Sequence, residues 1–534
     1  MSVIRLKNVS KRFEGKQVLR DVNFRLEERD RVGLIGNNGS GKTTILRMIL
    51  GKEEPTDGTI EIDEGLTLGY FSQFSELSGD LTITETLNDL FSHIHDIESN
   101  LRETEEAMGQ NPESKELDQL MKQYDTLNAE MERHEGWTYQ NRIDTVLSKL
   151  GFNERHRNLP INQLSGGWRN RAALAKILLE IPDVLLLDEP TNFLDVEGLT
   201  WLEGWIDQFR GAVILVSHDR DFLDKVVLRV LEIENYRFHE YEGGFVSYIQ
   251  KKRVRSKQID RQFQFEEELL VFETEAILDR EELAKNPNRG LNRKLANIKK
   301  EIAPREVDQV VTSIYERIRP VDLLCEVQQI SKGYDDDILF RDLGLEIHRG
   351  DRVAVVGPNG CGKTTLMKVL REELPPDDGR IIWKVGDAYI DYNTVLESLD
   401  PDDSVTHLVN ILGLGYAAGK KQVNRFLQML QFSEMDLGQK IGTLSGGQRA
   451  RVALAVALLS GSPAIILDEP TNHLDMKSTQ VMERALAHFP GAVIVVSHDR
   501  FFIDKVATRL IVFKGDAEVE VVNGNWTTWT ASQT

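Results

Sequence analysis

The chain has 534 residues, too many for one hydrophobic core and suited to two domains of roughly 200 to 250 residues each. Its hydrophobic fraction of 40% and charged fraction of 28% are ordinary for a globular protein, and no apolar stretch approaches the ~20 residues that a membrane span needs. A net charge of −21 excludes a surface that is basic throughout while leaving room for a local basic patch, and Cys325 and Cys361 are too few for a disulfide scaffold, a zinc module or an iron–sulfur cluster.

Residues 3–6 read as a strand placed directly after Met1, with no apolar leader, so a cytoplasmic protein is expected. Residues 31–35 read as a second strand. It feeds the glycine-rich run Gly36, Asn37, Asn38, Gly39, Ser40 and Gly41, followed by Lys42, Thr43 and Thr44. Such glycines let backbone N–H groups curl round phosphate oxygens at the positive end of the following helix. Lys42 is then placed to reach the β- and γ-phosphates of a nucleotide, and Thr43 to offer a hydroxyl to Mg²⁺.

The segment of about 86–135 predicts a helical hairpin. Leu90, Ile94, Ile97 and Leu101 recur at helical spacing, as do Leu117, Leu120, Tyr124, Leu127 and Met131, and residues 109–112 break the two runs. Between Glu98 and Glu135 there are 11 acidic and 4 basic residues. This pair is either a solvated cover for its own domain or an arm for a basic protein partner.

Next come Leu164, Ser165, Gly166 and Gly167. Residues 184–187 form an apolar run suited to a central parallel strand. That strand delivers Asp188 to the Mg²⁺ position and is followed by Glu189, placed to orient or polarise the attacking water. A further strand, 213–216, leads to Ser217, His218 and Asp219, which sets His218 at the same sheet edge near a γ-phosphate.

Residues 244–320 predict a charged connector. Phe265, Leu269, Phe272 and Ala276 form one helical seam, and Leu291, Leu295, Ile298 and Ile302 a second, with a turn at 286–290. One basic cluster gathers Lys251, Lys252, Arg253, Arg255, Lys257 and Arg261; another gathers Lys285, Arg289, Arg293, Lys294, Lys299 and Lys300. Each is either a solvated face or a contact for RNA phosphates.

The phosphate-handling elements then recur in the same order. Strand-like residues 352–356 feed Gly357, Pro358, Asn359, Gly360, Cys361, Gly362, Lys363, Thr364 and Thr365. Ser445, Gly446 and Gly447 follow, then Asp468, Glu469 and His498. Thr364 and Asp468 repeat the Mg²⁺ positions, and Glu469 and His498 the catalytic ones. Lys42 and Lys363 stand 321 residues apart, whereas Ser165 and Ser445, Glu189 and Glu469, and His218 and His498 each stand 280 apart. The first copy therefore carries 41 additional residues between its phosphate loop and its Ser-Gly-Gly loop. The expected fold is α/β, with two P-loop NTPase domains in tandem.

At this point the residues resemble the ATP-binding-cassette family, with Leu-Ser-Gly-Gly as its signature loop. The resemblance implies two cassettes paired head to tail within one monomeric chain. One composite site would then join Gly36 to Thr43, Asp188, Glu189 and His218 to the signature Ser445, Gly446 and Gly447. The other would join Gly357 to Thr364, Asp468, Glu469 and His498 to Ser165, Gly166 and Gly167. It further implies that Gln73 senses Mg²⁺ and nucleotide state, and that Phe13 and Tyr334 stack on adenine.

Two cassettes, a helical insert in the first and a charged helical connector resemble the ABC-F class in particular. That likeness implies domains at 1–243, 244–320 and 321–534, ATP hydrolysis with Mg²⁺, and a ribosomal target. The connector would approach tRNA and rRNA, and the arm a ribosomal protein. The energy subunit of a membrane transporter is the alternative with the same sites, and a DNA-repair or chromosome ATPase a further one. Departures from the repeat are Phe193 against His473, Trp168 against Gln448, Cys361 against Ser40, and Tyr392, read as standing where the second copy should carry its glutamine.

Overall fold

The computed structural model describes residues 2–72, 79–110, 114–134, 136–258, 322–334, 337–384, 389–408, 434–472 and 474–533, together with 77, 427, 430 and 432. The chain is mixed α/β and divides into two compact units. The first comprises Met1–Arg5, Arg25–Arg31 and Glu61–Val216, the second Leu6–Phe24, Val32–Ile60 and Ser217–Thr534.

In the first unit, strand Leu68–Phe71 pairs in parallel with Val184–Asp188, and that strand pairs in parallel with Ala212–Val216. Both of the latter are buried along their whole length. A parallel strand covered on both faces selects a continuous β-branched and aliphatic run, and this is why these segments show no polar alternation. Arg31 staples the turn ahead of Ala212–Val216. Its guanidinium donates to the carbonyls of Phe209, of Gly211 at 2.7 Å and of Ile206 at 3.2 Å. Gly211 is obligatory there, because a Cβ would lie 2.3 Å from the Asp183 carbonyl oxygen.

The arm forms as two packed helices, Ser92–Gly109 and Ser114–Arg133. Ile94 and Leu101 from the expected seam are buried, as is Met131. Leu90 is not part of the long helix. A Thr82–Glu85 capping box starts a separate short helix, Ile83–Asp89, and Leu90 caps its C-terminal end.

The second unit holds a complete six-stranded sheet ordered Tyr389–Asp391, Ala464–Asp468, Ala492–Val496, Arg352–Val356, Arg509–Gly515 and Glu518–Asn523. All its pairings are parallel except the last. A smaller antiparallel sheet, ordered Asp337–His348, Leu323–Tyr334 and Asp378–Trp383, stands beside it. Helix Gly446–Leu459 buries Val452 through Leu459 in the core on one face of the large sheet, and helix Lys363–Leu370 buries Leu366, Met367, Val369 and Leu370 on the other. Arg352 repeats the Arg31 staple, donating to the carbonyls of Phe489, of Gly491 at 2.7 Å and of Leu486 at 2.8 Å.

The same unit contains strand Arg31–Gly36 from Val32 onward, in parallel with Arg229–Glu234, which turns back antiparallel as Arg237–Glu242. Of the connector, helix Phe245–Gln258 is described; the two predicted seams and the cluster from Lys285 to Lys300 lie outside the described residues. Phe245, Tyr248 and Ile249 are buried, and Tyr248 donates to the Glu232 carboxylate at 2.8 Å. Two members of the first basic cluster, Lys252 and Arg255, are engaged internally. Lys252 pairs with Glu232 and lies 3.5 Å from Glu234, and Arg255 lies 3.3 Å from Glu234.

Candidate nucleotide sites

Parallel strands end at one edge of a sheet, and this collects the functional loops. In the second unit, Gly357 follows Arg352–Val356, Asp468 closes Ala464–Asp468, and Ser497 follows Ala492–Val496. Both phosphate loops have the same backbone. Gly41 and Gly362 cap their helices in the left-handed region, at φ 106° and 110°, a conformation that glycine adopts without steric cost. In each loop the lysine lies along the inside of the curl. Lys42 Nζ donates to the carbonyls of Gly36 at 2.8 Å and Asn37 at 3.2 Å, and Lys363 Nζ to those of Gly357 at 2.9 Å and Pro358 at 2.7 Å. A buried ammonium beside a ring of loop N–H groups fits a polyphosphate.

Around Lys363 the remaining chemistry is assembled. The Thr364 hydroxyl donates to Asp468, whose carboxyl is nevertheless held above its ordinary range by burial. Glu469 comes next, at φ 47°. Its backbone N–H donates to the Val496 carbonyl at 3.0 Å, and its carboxylate accepts the His498 N–H and lies 3.4 Å from His498 Nε2. Burial pushes the Glu469 carboxyl up to about 7, against the nearby Lys363, which lowers it. A carboxylate with its pKa near neutrality, in reach of an imidazole and a lysine, can orient a water and accept its proton. In the first unit Glu189 repeats the strained backbone, at φ 56°, with its N–H donating to the Val216 carbonyl at 2.9 Å. His218, in the second unit, sits in a turn of the same build as that of His498. Ser217 and Ser497 each accept from the Asp two residues on, at 3.0 and 3.1 Å, and Asp219 and Asp499 cap the following helices.

The two signature loops differ. Ser445 caps helix Gly446–Leu459 through a full capping box with Gln448. Ser165 caps Gly166–Glu180 with no side-chain bond to the helix; Trp168, at the position of Gln448, has no acceptor to return to the cap backbone and packs on His156, at a ring separation of 3.8 Å. Within the second unit, loops of the two copies meet. The Asp475 carboxylate, cap of Met476–Ala487, accepts from the Asn38 backbone N–H at 3.5 Å. Phe13 and Tyr334 are exposed, 41% and 52%, as a stacking platform must be. Gln73 and His473 lie outside the described residues.

One reading of the second copy is corrected by the sheet register. Leu186 pairs with Tyr70 and its equivalent Ile466 with Asp391, so Tyr392 is the counterpart of Phe71, a core residue, and counting on along the sequence matches Gln73 to Thr394. Tyr392 is buried and donates to the Ala450 carbonyl at 3.3 Å. Sequence reasoning also passed over Asn393, whose amide donates to the Asp468 carbonyl at 2.8 Å and accepts from the Asp468 N–H at 3.1 Å. Only the strand register, fixed by Tyr389–Asp391, exposes it.

With the geometry in place, the comparisons with known proteins agree. The ABC transporter family matches residues 19–192 and 340–472, more than half of the chain. The putative ATP-binding protein YdiF of Bacillus subtilis is 33% identical over 541 residues, covering 100% of this chain and 83% of that protein. The energy-dependent translational throttle protein EttA of Mycobacterium tuberculosis is 33% identical over 537 residues, covering 96% of this chain and 92% of that protein. ABC transporter F family member 2 of Arabidopsis thaliana is 32% identical, covering 96% of this chain and 76% of that protein. Among solved structures, the archaeal ribosome recycling factor in complex with an archaeal ribosomal stalk protein shares the fold, with a TM-score of 0.63 at 19% identity over 96% of this chain and 89% of that one. The chain belongs to the ATP-binding-cassette family and, within it, to the F class. It is a P-loop ATPase, with ATP as the nucleotide of its cassette domains.

Proposed function

We propose that this ATPase acts on ribosomes, binding them in an ATP-closed form and leaving on hydrolysis. The observation that carries this reading is the near full-length similarity to a protein named energy-dependent translational throttle, in a chain with two sets of nucleotide-site residues. No described helix is long and apolar enough to cross a membrane.

In this reading Lys42 and Lys363 bind the β- and γ-phosphates, and Phe13 and Tyr334 stack on adenine. Thr43 with Asp188, and Thr364 with Asp468, would hold Mg²⁺; the Thr364–Asp468 hydrogen bond supports that assignment. Bound there, Mg²⁺ supplies positive charge against the developing phosphate charge. Glu189 and Glu469 orient the attacking water and accept its proton, and His218 and His498 hold the γ-phosphate side of each site. Each γ-phosphate also gives the opposing signature serine a ligand, so ATP closes the cassettes and hydrolysis removes the contact. We assign the domains to 1–243, 244–320 and 321–534, with the protein a monomer in the cytoplasm. The acidic arm is assigned to a ribosomal protein. RNA contact is assigned to the cluster from Lys285 to Lys300, since Lys252 and Arg255 are engaged with Glu232 and Glu234.

Co-sedimentation of the Glu189→Gln, Glu469→Gln protein with ribosomes tests this. Pelleting that requires ATP is expected. Failure to pellet by protein shown to hold ATP would remove the ribosome as target and return the transporter reading to the front.

A further inference from the structure

Each catalytic-histidine turn is tied by a buried ion pair to the other copy. Arg220 lies two residues after His218 and opens helix Arg220–Val226. Its guanidinium is fully buried and forks onto both oxygens of Glu483, with Nη1 at 3.1 Å from Oε2. Glu483 belongs to helix Met476–Ala487 of the second copy and is itself fully buried. It also accepts from Lys505 Nζ at 2.9 Å. Reciprocally, Arg500 lies two residues after His498 and donates from Nη1 to Asp221 of the first copy at 3.1 Å. Asp221 is held on its other side by Lys225, at 2.9 Å. All of these residues lie within one compact unit.

The two ties are not copies of one another. The offset of 280 that relates His218 to His498 carries Asp221 onto Phe501. Where the first copy has a carboxylate, the second has a ring, with Arg220 Cζ at 5.0 Å and Lys505 Nζ at 4.9 Å from its centroid. The His218 turn is therefore held by a two-pronged arginine–carboxylate pair lying against an aromatic face, whereas at the His498 turn Arg500 reaches the Asp221 carboxylate through Nη1 and lies over the Trp526 ring. A forked guanidinium–carboxylate contact fixes orientation as well as distance. Because both side chains are buried, removing one partner leaves a buried charge that the surroundings must move to satisfy.

The tie acts on the histidine through a short, rigid path. Asp219, between His218 and Arg220, caps the helix through the Phe222 N–H at 3.0 Å, and its own N–H is held by Ser217. A shift of Arg220 is thus a shift of the His218 turn. We propose that Glu483 and Asp221 are positioning residues, each aligning the catalytic histidine of the opposite copy, so that the two hydrolytic sites are coupled through buried ion pairs as well as through bound nucleotide. The inference rests on ATP hydrolysis alone and is independent of the ribosomal reading.

The test separates the two sites. In a Glu469→Gln background, turnover reports the site served by Glu189 and His218; in a Glu189→Gln background it reports the site served by Glu469 and His498. Glu483→Gln is expected to lower kcat in the first background by about tenfold, with KM for ATP unchanged within about twofold, and to act far less in the second. Asp221→Asn should show the opposite bias. Exchanging the charges, Arg220→Glu with Glu483→Arg, in a chain that also carries Lys505→Met so that no buried cation faces the new arginine, should recover much of the lost kcat. A general loss of packing would instead depress both backgrounds alike and would not respond to the exchange. Should Glu483→Gln fail to fold by thermal melting, Glu483→Asp keeps the charge while shortening its reach and reads the same bias. Equal losses in both backgrounds, or no loss in either, would overturn the proposal.

Discussion

Glu189 and Glu469 hold left-handed backbone, at φ 56° and 47°, although each carries a Cβ that disfavours it. Strain of this kind costs on the order of 1–3 kcal/mol and persists where the surroundings over-determine it. Here the bonds from each N–H to Val216 and Val496 do so. At Glu469 the carboxylate then lies 3.4 Å from His498 Nε2 and near Lys363. The Asp-Glu pair itself was legible in the sequence; the strain was not, because nothing in a residue type announces a positive φ. Asn393 was missed for a related reason, since its two bonds to the Asp468 backbone depend on a register that residue counting misplaced by two positions. Asn393→Ala should lower turnover at the Glu469 site by about tenfold and leave a Glu469→Gln protein at its own rate, as read by ATP hydrolysis in each background. The two cysteines give a simpler check. Burial pushes the Cys325 thiol up to about 12, while Cys361 is half-buried in the second phosphate loop. An alkylating reagent at pH 8 should therefore label Cys361 and spare Cys325 until the protein is unfolded, as read by peptide mass, and ATP should slow the labelling.

Elements were read best where one physical requirement dominates. The parallel strands Val184–Asp188 and Ala492–Val496, buried throughout, and Ala464–Asp468, buried up to Leu467, appear in the sequence as apolar runs, because both faces are covered. The arm was legible from its heptad-like seam, apart from Leu90, which a capping box assigns to a separate short helix. The arginine staples were not legible. Arg31 and Arg352 open their strands with a residue that sequence alone assigns to the surface, yet both are buried among carbonyls at the ends of a neighbouring helix and turn. An orphaned buried carbonyl costs about 1–3 kcal/mol. Arg352→Met should accordingly destabilise the second unit by about 3 kcal/mol, seen as a lower denaturation midpoint with unchanged secondary structure.

At the scale of the whole molecule, duplication made the two sites and their order plain, and the 41-residue difference located the arm. What duplication concealed is asymmetry. Ser445 is locked in its own capping box and Ser165 is not; Asp221 faces an arginine where its repeat equivalent, Phe501, supports one. These differences arise from pairings between distant segments and have no local signature. The connector shows the same limit. A basic cluster reads as one solvated face, but Lys252 and Arg255 are turned onto Glu232 and Glu234, which ties the start of the connector to the hairpin beside the first phosphate loop.

The central claim, that ATP-bound closure lodges this protein on its target and hydrolysis frees it, is tested most directly in a cell-free translation reaction dosed with the Glu189→Gln, Glu469→Gln protein. Translation should stop at protein concentrations comparable to that of the ribosomes, and the block should vanish when Lys42→Ala and Lys363→Ala are added to the same chain. Continued translation in the presence of the ATP-loaded double variant would contradict the account.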